Sequence, residues 1–284
     1  MNKMLIATLS LALTAAALAH AGHDEATTFT LSEKDAVFTL DGPASVAPGY
    51  TAFAFSNTAG QPFAPVVARL KGNVSDADVK AALGELMASH GENMSAIEKI
   101  AEFTGGSAGV MPGGTFEFGT TLTPGRYVVF GFGASEDGKP LYDLGQYRSF
   151  TVAGAANGVT APKADVKATL QDFKVVLPAT VKAGKQVWEV SNAGQETHHV
   201  MLMRLKDGKK VSDVEAFFKA PDPSQAGEPP FEDVGGLEAI SKGHSAFVSF
   251  DLTPGEYIVV CFLPSAKEHM PHFMLGMMTG LSVK

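Results

Sequence analysis

The chain has a single cysteine, and the residues that follow it have the types and spacing of a metal site. Ten residues separate Cys261 from His272, and four residues separate that histidine from Met277. Far upstream, His198 and His199 form an adjacent pair. Two imidazoles, a thiolate and a weakly bound thioether are the ligand set of a mononuclear type 1 (blue) copper site. We therefore expect one of the paired histidines to bind one copper ion together with Cys261, His272 and Met277.

The N-terminal residues have the pattern of a secretion signal. Lys3 gives a positive start, an apolar run continues to Ala17, and small residues near Ala19 or Ala21 form a cleavage site. We interpret residues 1–19 as a signal peptide and expect a periplasmic or secreted protein. An exported chain with one cysteine cannot form an internal disulfide, so binding a metal is one of the few reasons to keep a thiol there.

Charge and hydropathy exclude two classes of partner. The sequence has 22 Lys and Arg against 30 Asp and Glu, and losing Lys3 with the signal changes the formal net charge from −8 to −9. Nucleic-acid binding depends on basic side chains that neutralise phosphates, so an acidic chain argues against it. No later segment reaches the ~18 apolar residues of a membrane span. The sequence does not identify a redox partner protein.

The mature chain contains an internal duplication. Short motifs recur in the same order and at similar spacing over roughly 120 residues, which is the size of one β-sandwich domain. Two of the matched pairs are Phe55–Asn57 with Val190–Asn192, and Leu122–Tyr127 with Leu252–Tyr257. Frequent Gly and Pro between short apolar runs favour an all-β architecture. We predict domains at residues 24–153 and 165–284, joined by a linker of small residues at 154–164.

Strands and helices can be placed within each repeat. Four segments are predicted as strands: Thr51–Phe55, Gln186–Val190, Ala246–Asp251 and Tyr257–Phe262. One helix is expected in each sandwich, starting at the capping boxes Ser75/Asp78 and Ser212/Glu215. In the first helix, apolar residues from Val79 to Met87 recur at helical spacing. The second helix is expected to be short and to lead into a proline-containing loop at Ala220–Val234.

The second repeat resembles the cupredoxin (blue-copper) family. In that family an Asn/Gly turn delivers a histidine ligand at the start of a strand, and here Asn192-Ala193-Gly194 leads into His198-His199. The resemblance implies two tandem cupredoxin-like Greek-key β-sandwiches. It also favours His198 as the ligand over its rival His199, because in plastocyanin-like members the ligand is followed by Asn and then by apolar strand residues. Only one of the two histidines can point into the site, since neighbouring strand residues face opposite sides.

The C-terminal ligand segment shows the same resemblance. Its His-x4-Met pattern, with Gly276 before Met277, is similar to rusticyanin and to the blue site of copper nitrite reductases. The ten-residue loop between Cys261 and His272 is longer than in small cupredoxins. The long loop leaves His269 as an alternative to His272, although Pro271 and the shared spacing favour His272.

The first repeat serves as an internal control for the ligand set. Matching the repeats places Phe63, Gly131, Leu141 and Gln146 at the positions of the four ligands His198, Cys261, His272 and Met277. None of these four residues is a copper ligand of the expected type. We therefore expect one copper-binding domain and one domain that lacks the ligands.

Three classes of function are consistent with these residues. One-electron transfer is the first, with His272 expected to be the ligand nearest solvent. A two-domain copper enzyme is the second, and it is disfavoured because the neighbours of Cys261 are Val260 and Phe262, where such enzymes carry a histidine. Copper storage or delivery, or a metal-free binding module, is the third, because a fold alone does not define a function.

Overall fold

The computed structural model describes residues 26–35, 37–89, 91–220 and 227–284, so the predicted signal peptide lies outside the described residues. The first half consists of strands with two helices between β5 and β6. In chain order the elements are β1 (Thr27–Lys34), β2 (Val37–Asp41), β3 (Ser45–Val46), β4 (Gly49–Asn57), β5 (Pro65–Leu70), α1 (Asp76–Ala88), α2 (Ser95–Ile100), β6 (Ala101–Gly106), β7 (Thr115–Leu122), β8 (Gly125–Gly131) and β9 (Tyr147–Val152).

The second half repeats this order with one helix between β14 and β15. Its elements are β10 (Val166–Gln171), β11 (Lys174–Val176), β12 (Thr180–Val181), β13 (Gly184–Asn192), β14 (His198–Leu205), α3 (Val211–Phe218), β15 (Phe231–Ile240), β16 (Ser245–Leu252), β17 (Gly255–Val260), a 3-10 helix (His272–Leu275) and β18 (Met278–Val283).

Both sheets of the sandwich continue through the two halves. One sheet has the strand order β11-β10-β13-β16-β7-β4-β1-β2, and the other has the order β12-β18-β17-β14-β15-β6-β5-β8-β9-β3. The halves join where β16 pairs with β7 and where β15 pairs with β6, both antiparallel. The fold is therefore all-β, with two tandem Greek-key β-sandwiches.

Alternating burial along the strands explains why the sheets pack face to face. In β10, Val166, Ala168 and Leu170 are buried, whereas the residues between them are exposed or half-buried. Such alternation gives a strand one apolar face that must be covered by a second sheet. Trp188 in the second half and Phe53 in the first are both fully buried in this shared core.

The predicted strands lie inside observed strands, except at the cysteine. Thr51–Phe55, Gln186–Val190 and Ala246–Asp251 fall within β4, β13 and β16. The fourth prediction is too long, because β17 ends at Val260. The N–H of Cys261 still donates to the carbonyl of Met277 at 3.1 Å, in register with the pairing of β17 and β18, and the ligand loop begins after the cysteine.

The helices agree with the predictions only in part. The first capping box is confirmed: the N–H of Asp78 donates to Ser75 Oγ at 3.2 Å, and the Ser75 N–H donates to Asp78 Oδ2 at 2.9 Å. The second box is wrong, because α3 begins at Val211 and Asp213 accepts the Lys210 N–H at 2.7 Å. The expectation of one helix per sandwich is also wrong for the first half, which has α1 and α2.

The loop after α3 is shorter than the sequence indicates, since β15 begins at Phe231 within the segment expected to be a loop. In the described part of the chain, no helix combines the length and apolar character needed to cross a membrane.

Candidate metal centre

A hydrogen-bonded turn places His198 at the start of β14. The Asn192 side-chain amide donates to the carbonyls of Glu196 and Ile240, both at 2.8 Å, and its Oδ1 accepts the N–H of Gly194 at 2.8 Å. A Cβ on Gly194 would lie 2.7 Å from His198 Nε2, so only glycine fits beside the imidazole. The turn thus fixes both the position of His198 and the space for its ring.

Cys261 lies just past β17 and is fully buried. Its Sγ lies 3.4 Å from the backbone nitrogen of His199, which donates to it. Burial raises the pKa of the thiol to about 12, although backbone N–H groups of His199 and Leu263 act to lower it. In the metal-free protein Cys261 is therefore a neutral thiol near neutral pH, and a bound cation is needed to displace its proton.

A folded loop brings His272 back to the cysteine. The His272 N–H donates to the carbonyl of Leu263 at 2.9 Å, and an isolated bridge pairs Pro264 with Pro271. The Nδ1 atom of His272 lies 3.4 Å from Cys261 Sγ and 3.0 Å from His198 Nδ1. The three side chains are buried, and their possible ligand atoms all lie within 4.8 Å of one another.

Met277 is the fourth residue expected at the site, and its backbone contacts Cys261 and His272. It is fully buried in the same apolar cluster as Cys261. Its N–H donates to the carbonyl of His272 at 3.0 Å, while its own carbonyl accepts the Cys261 N–H. The backbone of Met277 therefore links the two ends of the ligand loop.

Two rival histidines lie elsewhere. The ring of His199 turns away from the cluster, and its Nε2 accepts the N–H of Phe262 at 2.7 Å. Its Nδ1 lies 3.8 Å from Glu238 Oε2. His269 is exposed on the loop and is absent from the group. Of the four histidines considered, His198 and His272 are thus the two that lie in the cluster with Cys261.

Two carboxylates that the sequence reasoning missed contact the far nitrogens of the clustered imidazoles. Asp172 Oδ1 lies 3.1 Å from His198 Nε2, and Glu196 Oε2 lies 2.9 Å from His272 Nε2. Burial acts to raise the pKa of Asp172, but hydrogen bonds from the Glu196 and Gln195 backbone and from His198 outweigh it and lower the pKa. Glu196 lies two residues before His198, and this proximity is the one sequence signal that could have singled it out.

The imidazoles are neutral at neutral pH. Burial lowers the pKa of His198 to about 4, helped by His272 and opposed by Asp172. Burial likewise lowers the pKa of His272, against the opposing effect of Glu196. Each ring therefore carries one proton and one lone pair near pH 7.

The number of protons shows why this cluster suits a cation. Three contacts need a proton each: Asp172 with His198, His198 with His272, and His272 with Glu196. Two neutral rings supply only two protons. Hydrogen bonds to carboxylates are the stronger ones, so both protons stay on Nε2 and both Nδ1 lone pairs converge near Cys261. His198, His272 and the Cys261 thiolate would together hold a metal ion at this position, and two imidazoles with a thiolate are a donor set that suits copper.

The expectation that His272 lies nearest solvent is wrong. His272 and His198 are both 0% exposed, and the edge of His272 that was expected to face water instead contacts Glu196. The physical reason is the long loop, because Ser265 Oγ donates to Glu196 Oε1 at 3.0 Å and so holds the carboxylate over the ring.

The first half has the same backbone frame without the donor set. Gly131 N–H donates to the Gln146 carbonyl, and Gln146 N–H donates to the Leu141 carbonyl, as Cys261, Met277 and His272 do in the second half. A Cβ on Gly131 would lie 2.1 Å from Gln146 Oε1, so that amide fills the place of the missing side chain. The fold is thus compatible with loss of all four residues.

No protein-family model matches the chain, and no curated protein matches it significantly. Among solved structures, the chain is similar to auracyanin B (17% identity, TM-score 0.28), with 45% of this chain and 95% of auracyanin B covered. It is also similar to dithionite-reduced auracyanin from the photosynthetic bacterium Roseiflexus castenholzii (17% identity, TM-score 0.28), with 42% of this chain and 94% of that one covered.

A multicopper oxidase structure is similar over a longer span (12% identity, TM-score 0.24), with 90% of this chain and 88% of that one covered. Likenesses at these identities and TM-scores carry no argument about function, so the functional argument depends on the site itself.

Proposed function

We propose that this protein is an exported carrier of single electrons, with one type 1 copper in its C-terminal domain. In this proposal residues 1–19 are a signal peptide, 24–153 form a domain without copper ligands, 154–164 are a linker and 165–284 form the copper domain. The protein acts in the periplasm or is secreted, and its partner is a redox protein.

The observation that carries the proposal is the buried group of His198, Cys261 and His272, whose possible ligand atoms all lie within 4.8 Å of one another. In the proposed site these residues bind copper and Met277 is the weak axial ligand. Copper bound in this way would alternate between Cu(II) and Cu(I).

The protein holds the ligand side chains in fixed positions and shields them from water. All four side chains are 0% exposed, so water has no direct access to them. Backbone hydrogen bonds hold Cys261, His272 and Met277 to one another, and the Asn192 turn holds His198. Ligands that cannot rearrange suit electron transfer, because little movement accompanies the change of oxidation state.

Copper storage or delivery is a second candidate, favoured by two exposed methionines. Met270 and Met274 flank His272 in sequence and are 39% and 45% exposed. Thioethers are soft ligands that select Cu(I), so these side chains could receive or release the ion. Catalysis is not proposed, because Val260 and Phe262 flank Cys261 and offer no histidine relay.

Copper retention during redox cycling separates the two candidates. The copper-loaded protein is reduced and reoxidised repeatedly in the presence of a Cu(I) chelator, and the chelated copper is measured. Electron transfer predicts fast, reversible cycling with copper retained, and the same result for a Met270→Leu/Met274→Leu variant. Release of copper on the first reduction, slowed by that double substitution, would instead support copper delivery.

A further inference from the structure

Both carboxylates beside the imidazoles are anchored in place by other groups. Asp172 Oδ1 accepts the N–H of Gln195 at 2.8 Å and that of Glu196 at 3.1 Å. Glu196 accepts the Ser265 hydroxyl at 3.0 Å and the Ala266 N–H at 3.3 Å. Their side chains are only 31% and 19% exposed, respectively. The contacts with His198 and His272 are therefore parts of a fixed network.

The first half shows which of the two acids belongs to the scaffold. There Glu33 accepts the N–H of Gly60 at 3.2 Å, as Asp172 accepts that of Gln195, although no histidine is present. The counterpart of Glu196 is Gln61, whose carbonyl accepts the Asn57 amide at 2.8 Å as the Glu196 carbonyl accepts that of Asn192. Asp172 and its counterpart Glu33 thus both anchor a backbone N–H, with or without a histidine nearby. The acid at position 196 is present only in the half that has the histidine.

The charges of these groups favour the higher oxidation state of a bound copper ion. Two neutral imidazoles and one thiolate carry a single negative charge. Asp172 and Glu196, which contact the far nitrogens of the imidazoles, add two more negative charges. A carboxylate that accepts the Nε2–H also makes Nδ1 a stronger donor. Because the ligands are fully buried, water screens these interactions weakly. These negative charges stabilise Cu(II), which has the larger positive charge, more than they stabilise Cu(I).

We propose that Glu196, supported by Asp172, is a positioning residue that directs the imidazole lone pairs inward and lowers the reduction potential of the site. This inference rests on the proposed copper site. Its consequence is that the reduced protein is a stronger reductant than the same ligand set without the acids, so its electron donor must be more reducing still.

Glu196→Gln removes the charge, and Glu196→Ala also removes the hydrogen bond. Glutamine is the residue that the first half carries at this turn, so the fold accommodates it. Glu268→Gln is the matched control, because Glu268 lies on the loop that carries Ser265, is 46% exposed and makes its ion pair with Lys267. Asp172→Asn is avoided, since Asp172 anchors two backbone N–H groups.

The first readout uses the metal-free protein. Imidazole ¹⁵N NMR should show the proton of both His198 and His272 on Nε2 in the wild type. In Glu196→Ala, His272 should move its proton to Nδ1, because that atom can then donate to His198. A wild-type His272 with its proton on Nδ1, or an unchanged tautomer in Glu196→Ala, would overturn the positioning role.

The second readout is the reduction potential of the copper-loaded protein. We expect Glu196→Gln to lower the Cu(II) affinity at least tenfold relative to that for Cu(I), a positive shift of ~59 mV for one electron. Glu268→Gln should shift the potential much less. Equal shifts in the two variants would overturn the proposal. A wild type that binds no copper refutes the proposed function, while the NMR result still decides the positioning of the imidazoles.

Discussion

The Cys261 thiol shows how the burial of one residue controls metal binding. Burial raises its pKa to about 12, so the thiol keeps its proton throughout the physiological range. Copper binds the thiolate, so binding must release that proton. We expect the apparent Cu(II) affinity to rise about tenfold per pH unit between pH 6 and 9, measured by competition with a chelator of known affinity. A flat profile would show that the thiolate is not a ligand.

His198 and His199 offer a matched pair of substitutions. His198→Ala should abolish any blue colour, because His198 Nδ1 lies in the cluster. His199→Ala should keep the colour but lower stability by about 1–3 kcal/mol, since the Phe262 N–H loses its buried acceptor. Absorption spectra and urea unfolding of both variants provide the check. Loss of colour in His199→Ala alone would contradict the assignment.

The residues of the site were predictable from the sequence to different extents. Cys261, His272 and Met277 stand out by type and spacing; the structure places Cys261 and His272 in one buried group with His198, and links Met277 to both through backbone hydrogen bonds. Asp172 and Glu196 did not stand out, because a single acidic residue in a chain rich in Asp and Glu forms no recognisable sequence motif. The burial of His272 was missed for the same reason, since it depends on how Ser265 holds Glu196 over the ring.

The turns before β5 and β14 permit a test of how an element positions the site. Asn57 and Asn192 make the same buried hydrogen bonds in the two halves. Replacing either with Ala removes two side-chain hydrogen bonds to backbone carbonyls, so each variant should lose about 1–3 kcal/mol of unfolding free energy. We expect only Asn192→Ala to weaken copper binding, measured by the same chelator competition. Equal effects of both on affinity would show that the turn does not position His198.

Strands were easier to predict than helices because alternating burial leaves a clear pattern. Helix α1 has a Ser/Asp capping box and regular apolar spacing, so it was found. Helix α2 has only six residues and lacks a side-chain cap, so no signal marked it. Helix α3 starts after Lys210, which is not a residue typical of that position.

The two halves share both sheets, and this predicts joint unfolding of the whole molecule. Phe103 and Ser241 exchange hydrogen bonds across the junction at 2.9 Å, and Thr197, next to His198, donates to Glu98 of α2 at 2.5 Å. Trp188 is the single tryptophan, so its fluorescence reports the second half alone. We expect fluorescence and far-ultraviolet circular dichroism to give the same urea midpoint. Two separate midpoints would show that the halves unfold independently.

The junction also marks the limit of what the repeats reveal. Matching motifs indicated two sandwiches and made β7 and β16 equivalent strands of the two repeats, but nothing in the sequence shows that these two strands pair with each other. Edge strands accept partners through backbone groups, which every residue has. The pairing of the halves therefore depends on tertiary structure that composition and spacing do not encode locally.

The central claim is that His198, Cys261 and His272 hold one type 1 copper. The most direct test is the visible and electron paramagnetic resonance spectrum of the purified mature protein after addition of one equivalent of Cu(II). We expect an intense thiolate-to-copper band with a narrow hyperfine splitting, lost in Cys261→Ser and retained in His269→Ala. A colourless protein, or an ordinary Cu(II) signal unaffected by Cys261→Ser, would contradict the account.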